Sequence, residues 1–524
     1  MITTQNPEET NNTRLAEGIA NRDDPPWWWV ALQLTALSFH VPLSLLSGTQ
    51  RALASVSGSV AVGVGVTALF VLLFWIFSRL LNSSWRSLAI VSAGAVLFWH
   101  GSGLAAFAGG AGWFLNLLVA GVVLTAAYKK AGVRLFKLLS FVASVTVGTT
   151  LLLLVVLDAF LTPGPVVEVR NPIENVNLSS TPNIFLVVLD GYGRSDVLDD
   201  LFDFDNTEFL TKLEAQGFDV AESSSANYTI THLSLPSLLN MSYMNEPLDY
   251  MHNSDLEKLA QATSGENTFV QILKTHGYTY VHGDSDHWFN TCGPMVDICL
   301  EGPLLDVTGH SLLAGTPVGD LFYPTSGDPT TALNRIRIGQ MANWDVEGPQ
   351  VDGPTLTFLH LVLPHPPLFL DSNCEVRIDE DLRERVLNDG TTPPEIVEKR
   401  KEAWVEQVEC ANRAILDFLP SIQEDDIVVL TSDHGPDSAF VIETTDPADL
   451  TQERLGERLP NLTAVKLPPP CAGLLPPDVH SVNVLRLVLD CLSDDEIEML
   501  ENHYFAATFG GSIIEPPYSN SARD

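Results

Sequence analysis

The chain has 524 residues and a formal net charge of −37, yet hydrophobic residues make up 45% of it. Nucleic acid is excluded as an expected partner, because no basic stretch is available to follow a phosphate backbone. The apolar and the acidic residues lie in different parts of the chain. Residues 27–161 contain seven Lys or Arg and one acid, whereas residues 162–524 contain 59 acids and 19 bases.

The first part of the chain predicts a polar cytoplasmic tail, residues 1–26, followed by a five-helix transmembrane region, residues 27–161. Its apolar stretches are long enough to cross a hydrocarbon layer of about 30 Å. The apolar run at 87–128 is too long for one crossing, so we expect it to form two spans with a glycine-containing turn. The five predicted spans are residues 27–47, 54–77, 87–105, 110–128 and 138–161.

The basic residues between these spans predict their orientation. The loop after the second span contains Arg79 and Arg86, and the loop after the fourth contains four Lys or Arg, whereas the loop after the third contains none. Loops rich in Lys and Arg stay in the cytoplasm. We therefore expect a multi-pass protein of the cell membrane whose later residues, 183–524, lie on the extracytoplasmic side.

The composition of the acidic part indicates its surroundings. All six cysteines follow residue 161, which favours disulfides in an oxidising space over scattered reduced thiols. Only a Cys292–Cys299 pair is suggested locally by the sequence. The whole chain has nine Lys against 19 Arg, and an acidic, Lys-poor surface is typical of halophilic proteins, where counterions screen the repulsion. An ordinary acidic soluble domain is the alternative.

Residues 162–182 are rich in Pro, Asn and Ser and predict a linker, and residues 183–524 then predict an α/β domain. Continuous apolar runs such as "IFLVVL", "TLTFLHLVL" and "IVVL" are typical of parallel strands buried on both faces. Amphipathic helical patterns lie between them, at 207–217, 267–277 and 400–422. This alternation predicts a mostly parallel sheet.

Three of the apolar runs end in side chains that bind metals. Asp190 follows the first run, His365 the second, and Asp433 with His434 the third. Ligands of such sheets bind beyond the carboxyl ends of the strands, so we expect these residues to converge on one site. Carboxylates and imidazoles are ligands for Zn²⁺, Mn²⁺ or Mg²⁺.

A nucleophile for such a site is predicted within residues 225–244. This stretch contains Thr229, Thr231, Ser234 and Ser237 before an apolar run. A hydroxyl at the start of a helix benefits from unpaired N–H groups, which favour an alkoxide or an incoming anion. An ordinary Ser/Thr helix cap is the alternative.

Four motifs in this order, "PNIFLVVLDGYGRSD", "THLSLPSLLN", "LVLPHPP" and "TSDHG", resemble the sulfatase-like branch of the alkaline phosphatase superfamily over about residues 182–470. The five-span front end resembles membrane-anchored lipoteichoic acid synthases and phosphoethanolamine transferases. The resemblance implies an alkaline-phosphatase-like domain that depends on a divalent metal ion. It also implies an enzyme that moves a phosphoryl-type group from a lipid or cell-surface donor, a glycan or phosphoester. A sulfuric ester hydrolase, or an inactive envelope protein of the same fold, is the alternative.

The resemblance also implies roles for individual residues. Asp190 matches the first acidic metal ligand, and Asp433 and His434 match the paired ligands after a late strand. Thr231 matches the threonine that is both nucleophile and metal ligand, and His365 matches a histidine that meets the transferred group or a second metal.

The chain also departs from the family pattern. Leu238 stands where formylglycine-type sulfatases carry an arginine, which disfavours chemistry through a modified Ser234. No histidine stands near Asp446, where the transferases carry one, so a complete second metal site is not expected. Two further groups have a functional and a solvated-surface interpretation: Arg454 and Arg458 as anion ligands, and His282, Asp284, Asp286 and His287 as metal ligands.

Overall fold

The protein is described from a computed structural model, which covers most of the predicted α/β domain and part of the region before it. The residues that the structure describes are 25–47, 56–107, 173, 176–244, 253–283, 290–300, 309, 312–313, 316, 329–382, 387–388, 392–438, 450–507 and 513–518. The chain divides into two compact units, which are taken in turn.

The first unit contains three apolar helices, α1 (Trp27–Ser47), α2 (Val56–Leu81) and α3 (Ser84–Phe107). They coincide with the first three predicted spans. One segment of the described residues, Gly58–Leu81, is long and apolar enough to cross a membrane, judged by length and composition. The predicted spans 110–128 and 138–161 lie outside the described residues, so the five-span region stays a prediction.

The second unit contains the predicted α/β domain. Three of its helices match the predicted patterns closely, and the longest begins earlier than expected because Pro394 occupies its first turn, where a missing N–H is harmless. The helices of this unit are α4 (Ser195–Phe202), α5 (Thr207–Ala215), α6 (Thr231–Asn240), α7 (Asn253–Thr263), α8 (Thr268–Thr275), α9 (Pro329–Ala342), α10 (Trp344–Glu347), α11 (Pro394–Phe418), α12 (Gln452–Arg458) and α13 (Ser481–Leu492).

The strands of this unit form one sheet in the order β2-β7-β6-β1-β5-β3-β4. The neighbours of β1 and β3 are parallel to them, and β7 is antiparallel to β2 and β6. The predicted mostly parallel sheet is therefore confirmed. The strands are β1 (Ile184–Leu189), β2 (Phe218–Val220), β3 (Thr279–Gly283), β4 (Ile298–Leu300), β5 (Thr355–Leu361), β6 (Ile427–Ser432) and β7 (Thr463–Lys466).

Each face of the sheet is covered by helices. One core joins alternate residues of β1, β5 and β6 to α6, α8 and α13, and the other joins the intervening residues to α4, α5 and α11. Every residue of β1 and β6 is buried, which explains their continuous apolar sequences. Ile173 and Val176, from the stretch predicted as a linker, are buried in the first core.

All six cysteines form disulfides. The pairs are Cys292–Cys299, Cys374–Cys410 and Cys471–Cys491. The disulfides expected from cysteine placement are therefore confirmed, including the local Cys292–Cys299 pair. The other two link residues 36 and 20 positions apart, and only the folded chain identifies these partners.

Candidate metal centre

The central strands bring three metal-binding side chains to one face of the sheet. Leu186 and Val188 of β1 point into the core that contains α6, and continuing this alternation places Asp190 on the same face. The same alternation along β5 and β6 places His360 and Asp433 there. One ligand atom from each of these three residues lies within 4.8 Å of the other two.

Asp190 is buried between two imidazoles. Its Oδ2 lies 3.5 Å from Nε2 of His360, and its Oδ1 lies 4.0 Å from Nε2 of His434. Oδ1 has no hydrogen-bond donor within the described residues. Burial raises the pKa of Asp190. The neighbouring imidazoles, led by His365, together lower it by more than burial raises it, so the pKa of Asp190 lies well below the usual range. The carboxylate is therefore held in its charged form.

One oxygen of Asp433 accepts two backbone hydrogen bonds. Its Oδ1 accepts the backbone N–H groups of Gly191 at 3.0 Å and His434 at 2.9 Å. Gly191 has a φ of +74°, a conformation that suits glycine and directs its N–H at the carboxylate. The other oxygen, Oδ2, is buried without a hydrogen-bond donor in the described part of the chain. Burial, and then the charge of Asp190, raise the pKa of Asp433 to about 7.

These two carboxylates fit a divalent cation. Each has a buried oxygen without a donor among the described residues, and leaving such oxygens unpaired is unfavourable. Positive charge at this position would favour the ionised form of both groups. Carboxylate and imidazole ligands suit Zn²⁺, Mn²⁺ or Mg²⁺ to different degrees.

His434 directs one ring nitrogen at the site. Its Nδ1 lies 2.9 Å from the carbonyl oxygen of Gly435, so Nδ1 carries the proton and Nε2 presents a lone pair. That Nε2 lies 3.0 Å from Oδ2 of Asp433. Burial, and then Arg458, keep the pKa of His434 well below its usual value. A Cβ at Gly435 would collide with the carbonyl oxygens of Glu457 and Pro460, which explains the glycine after His434.

Thr231 lies beside His434. It is the first residue of α6 and is half-buried, and its Oγ1 lies 3.0 Å from Nε2 of His434. The other hydroxyls of the predicted stretch bond elsewhere. Thr229 contacts the backbone of Ala507, and Ser234 donates to the carbonyl oxygen of Tyr228 at 3.0 Å. Thr231 is therefore the hydroxyl of this stretch that contacts the predicted ligands.

Arg458 is also part of this site, so its interpretation as a solvated surface residue is wrong. It is buried, and its Nε donates to the carbonyl oxygen of Thr229 at 2.6 Å. Its Nη1 donates to Gly435 O at 3.2 Å, and its Nη2 lies 3.0 Å from Nε2 of His434. Arg454, by contrast, is half-exposed and pairs with Glu457 at 3.0 Å.

His365 lies at the edge of this group. Its backbone N–H donates to the carbonyl oxygen of Asp190 at 3.2 Å, and its Nδ1 lies 2.7 Å from the carbonyl oxygen of Pro366. The side chain is half-buried, so it has access to solvent beside the buried carboxylates. The structure thus brings Asp190, Thr231, Asp433 and His434 together, with His365 next to Asp190.

Sequence reasoning missed His360, which lies inside an apolar strand rather than at its end. The continuous apolar sequence of β5 does not mark the face on which His360 lies, and only the pairing of β5 with β1 places it on the same face as Asp190. The loop interpretation of His282 is also wrong, because His282 is buried in β3 and its Nδ1 lies 2.7 Å from the hydroxyl of Tyr280. Its neighbours Asp284, Asp286 and His287 lie outside the described residues, as does Asp446.

His480 is the next histidine in the chain after His434. Its ring nitrogens contact Nδ2 of Asn227 at 3.4 Å and the hydroxyl of Tyr504 at 3.2 Å. Both ring nitrogens of His480 therefore contact polar groups outside the candidate metal centre.

Comparison with known proteins gives a family match and several structural similarities. The family model described as Sulfatase matches residues 182–453. The C-terminal periplasmic domain of EcEptC from Escherichia coli is 12% identical, with 68% of this chain and 96% of that chain covered and a TM-score of 0.37. Lipooligosaccharide phosphoethanolamine transferase A from Neisseria meningitidis, an integral membrane protein, is 13% identical, with 72% and 69% covered and a TM-score of 0.40.

An alkaline phosphatase superfamily protein from Vibrio parahaemolyticus is 12% identical, with 67% of this chain and 80% of that chain covered and a TM-score of 0.42. No curated protein sequence matched the chain. The expected α/β domain with a mostly parallel sheet is confirmed by the strand order, and the family match identifies residues 182–453 as a Sulfatase domain. Because the Sulfatase model matches more than half of the chain, the protein belongs to the sulfatase family.

Proposed function

We propose that this protein is a membrane-anchored, metal-dependent enzyme that moves a phosphoryl-type group through a covalent intermediate on Thr231. The observation that carries the proposal is the 3.0 Å contact between Thr231 Oγ1 and His434 Nε2, beside two buried carboxylates that each have an oxygen without a donor in the described residues. A hydroxyl placed among metal ligands is the arrangement that an activated nucleophile requires.

Asp190, Asp433 and His434 would hold the cation, with the Thr231 oxygen next to them. A divalent cation bound there lowers the pKa of a hydroxyl and offsets negative charge on a phosphoryl group.

The reaction has two displacements. The Thr231 hydroxyl loses its proton to solvent, its oxygen attacks the phosphorus of the donor, and the bond from phosphorus to the leaving oxygen breaks. His365, half-exposed beside Asp190, gives a proton to that leaving oxygen. Water or an alcohol then attacks the phosphothreonine and gives its proton to His365, and the Thr231 oxygen leaves phosphorus and takes a proton from solvent. The guanidinium of Arg458, fixed by two carbonyl oxygens, places positive charge next to the nucleophile throughout.

Phosphoryl transfer is favoured over sulfatase chemistry through a modified serine. Ser234, the residue that would be modified, is buried and its hydroxyl is bonded to the carbonyl oxygen of Tyr228. Leu238, where the sulfatase pattern has an arginine, is buried in the apolar core on α6. Ser234 thus contacts backbone and Leu238 contacts the apolar core, and neither side chain contacts Asp190 or Asp433.

The location of the substrate follows from the apolar helices. We propose that residues 27–161 anchor the enzyme in the cell membrane by five spans, and that the unit with the sheet is extracytoplasmic. Three disulfides in that unit support an oxidising compartment. A donor in the lipid layer or on the cell surface is then the substrate within reach.

The proposal is tested with three variants of the full-length chain. Thr231→Ala is expected to reduce turnover of a phosphodiester such as bis(p-nitrophenyl) phosphate by at least about 10³-fold, while metal content stays near that of the wild type. Thr231→Ser should retain part of the activity, and Ser234→Ala, the matched control on the same helix, most of it. Full activity in Thr231→Ala would refute the proposal. Loss of activity in Ser234→Ala with hydrolysis of p-nitrophenyl sulfate by the wild type would favour the sulfatase alternative.

A further inference from the structure

We propose that His360 is a further ligand of the metal ion, completing a set of two carboxylates and two imidazoles that selects a transition metal over Mg²⁺. This inference rests on the proposed function, because it concerns the same site. It identifies a ligand inside the strand β5, in addition to those that lie where strands end, and it narrows the class of metal.

The distance between His360 and Asp190 is typical of two ligands that share one ion. Nε2 of His360 lies 3.5 Å from Oδ2 of Asp190, which is longer than the 2.7–3.2 Å typical of an N–H···O hydrogen bond. Two ligands of one ion, each roughly 2.0–2.2 Å from it, are separated by about 3.4 Å. The observed separation therefore suits two donors to a shared cation better than a direct hydrogen bond.

Asp190 lies between two histidines, one near each of its carboxylate oxygens. This carboxylate has the Nε2 atoms of two histidines on its two oxygens, His360 near Oδ2 and His434 near Oδ1. Asp433 Oδ2 and Asp190 Oδ1 are both buried without a hydrogen-bond donor within the described residues. Ligand atoms of Asp190, His360 and Asp433 all lie within 4.8 Å of one another, so one ion can reach both carboxylates and the second imidazole.

Asn290 contacts the ring nitrogen of His360 that faces away from Asp190. Asn290 is buried, and Nδ2 of its side-chain amide lies 3.2 Å from Nδ1 of His360. The two ends of an amide are interchangeable at such a contact. With Oδ1 of Asn290 turned to the ring, Nδ1 donates its proton to it and Nε2 presents a lone pair to the carboxylates. Metal-binding histidines are normally held in this way, by an acceptor on the other ring nitrogen.

The consequence is a preference among metals. Imidazole nitrogens favour Zn²⁺ and its neighbours in the transition series, whereas Mg²⁺ favours oxygen ligands. A site with His434 alone offers one nitrogen, and a site with both histidines offers two. We therefore expect the full-length chain to bind Zn²⁺ in preference to Mg²⁺ and Mn²⁺, and His360 to contribute to that preference.

The test measures metal binding rather than activity. His360→Ala in the full-length chain is expected to weaken Zn²⁺ binding by more than the roughly 10–100-fold that loss of an outer hydrogen bond causes, and His360→Asp to shift the preference toward Mg²⁺. His480→Ala is the matched control, since His480 is equally buried but bonded to Asn227 and Tyr504, and it should bind Zn²⁺ as the wild type does. Asn290→Leu should weaken binding by about 10–100-fold, and Asn290→Asp, which keeps an acceptor, should not.

A measurement on the wild type covers the case in which the variants do not fold. X-ray absorption of the Zn²⁺-loaded chain should count two imidazole ligands. One imidazole, with unchanged Zn²⁺ affinity in His360→Ala, would overturn the assignment of His360 and leave the proposed function standing. A wild-type chain that binds no divalent metal would instead overturn both.

Discussion

The hydroxyl oxygen of Thr231 lies 3.0 Å from Nε2 of His434, although 203 positions separate the two residues in the chain. Thr231 begins α6, and His434 follows β6, so the contact depends on α6 packing against the face of the sheet that carries Asp190 and Asp433. The helix thereby delivers a hydroxyl to the edge where the carboxylates are.

Arg458→Gln is expected to lower kcat/KM by about 10²–10³-fold, because it removes a buried positive charge beside the nucleophile. Metal content should change little, since Arg458 contributes no metal-binding atom. Arg454→Gln is the matched control, because Arg454 lies one turn earlier on α12, half-exposed and paired with Glu457, and it should remain close to wild type. Wild-type kcat/KM in Arg458→Gln, measured at equal metal content, would show that the guanidinium has no part in the reaction.

Metal should stabilise the fold through Asp433. At a metal concentration 100 times Kd the expected gain is about 2.7 kcal/mol, seen as a higher unfolding temperature that a chelator reverses. Asp433→Asn should lose this response and, without metal, unfold at the same temperature as the wild type or higher, because a buried like-charge pair is relieved. Asp426→Asn is the control, since Asp426 is a buried carboxylate bonded to Asn183 and Gln423 at the other end of β6. A chelator effect retained in Asp433→Asn would exclude Asp433 as a ligand.

Mild acid should destabilise the fold through His480. Burial lowers the pKa of His480 to about 4, from an ordinary 6.5, so its contribution to stability is complete above about pH 6.5 and is lost as the pH falls toward 4. The free energy of unfolding then decreases by at most about 1.4 kcal/mol per pH unit for this group. The unfolding temperatures of wild type and His480→Gln are to be compared at pH 7.5 and 5. The gap between them should move in favour of the variant at pH 5, and a gap that is constant with pH would contradict the prediction.

Much of this site could be predicted because its residues follow local signals. Asp190 and Asp433 stand where continuous apolar runs end, and the end of a buried parallel strand is where ligands bind. Thr231 stands where a helical pattern begins. The order of the strands in the sheet was not needed for these predictions, since all parallel strands end at the same edge.

The remainder could not be predicted because it depends on packing between distant segments. His360 lies within an apolar run, and a buried strand shows no polar and apolar alternation that would mark its face. Arg458 lies in a short helix of mostly polar and charged residues, a sequence that is typical of a protein surface. It is buried because that helix approaches Gly435 closely. The contacts of His360 with Asp190 and of Arg458 with Gly435 join elements that are separate in the chain, and no local sequence pattern predicts that these elements pack together.

The central claim is tested most directly by trapping the intermediate. The full-length chain is incubated with a phosphodiester donor and quenched in acid, and its peptides are analysed by mass spectrometry. We expect a phosphoryl-type adduct on Thr231 that disappears when an alcohol acceptor is added before the quench, and no adduct in Thr231→Ala. An adduct on Ser234, or turnover that continues in Thr231→Ala, would contradict the account.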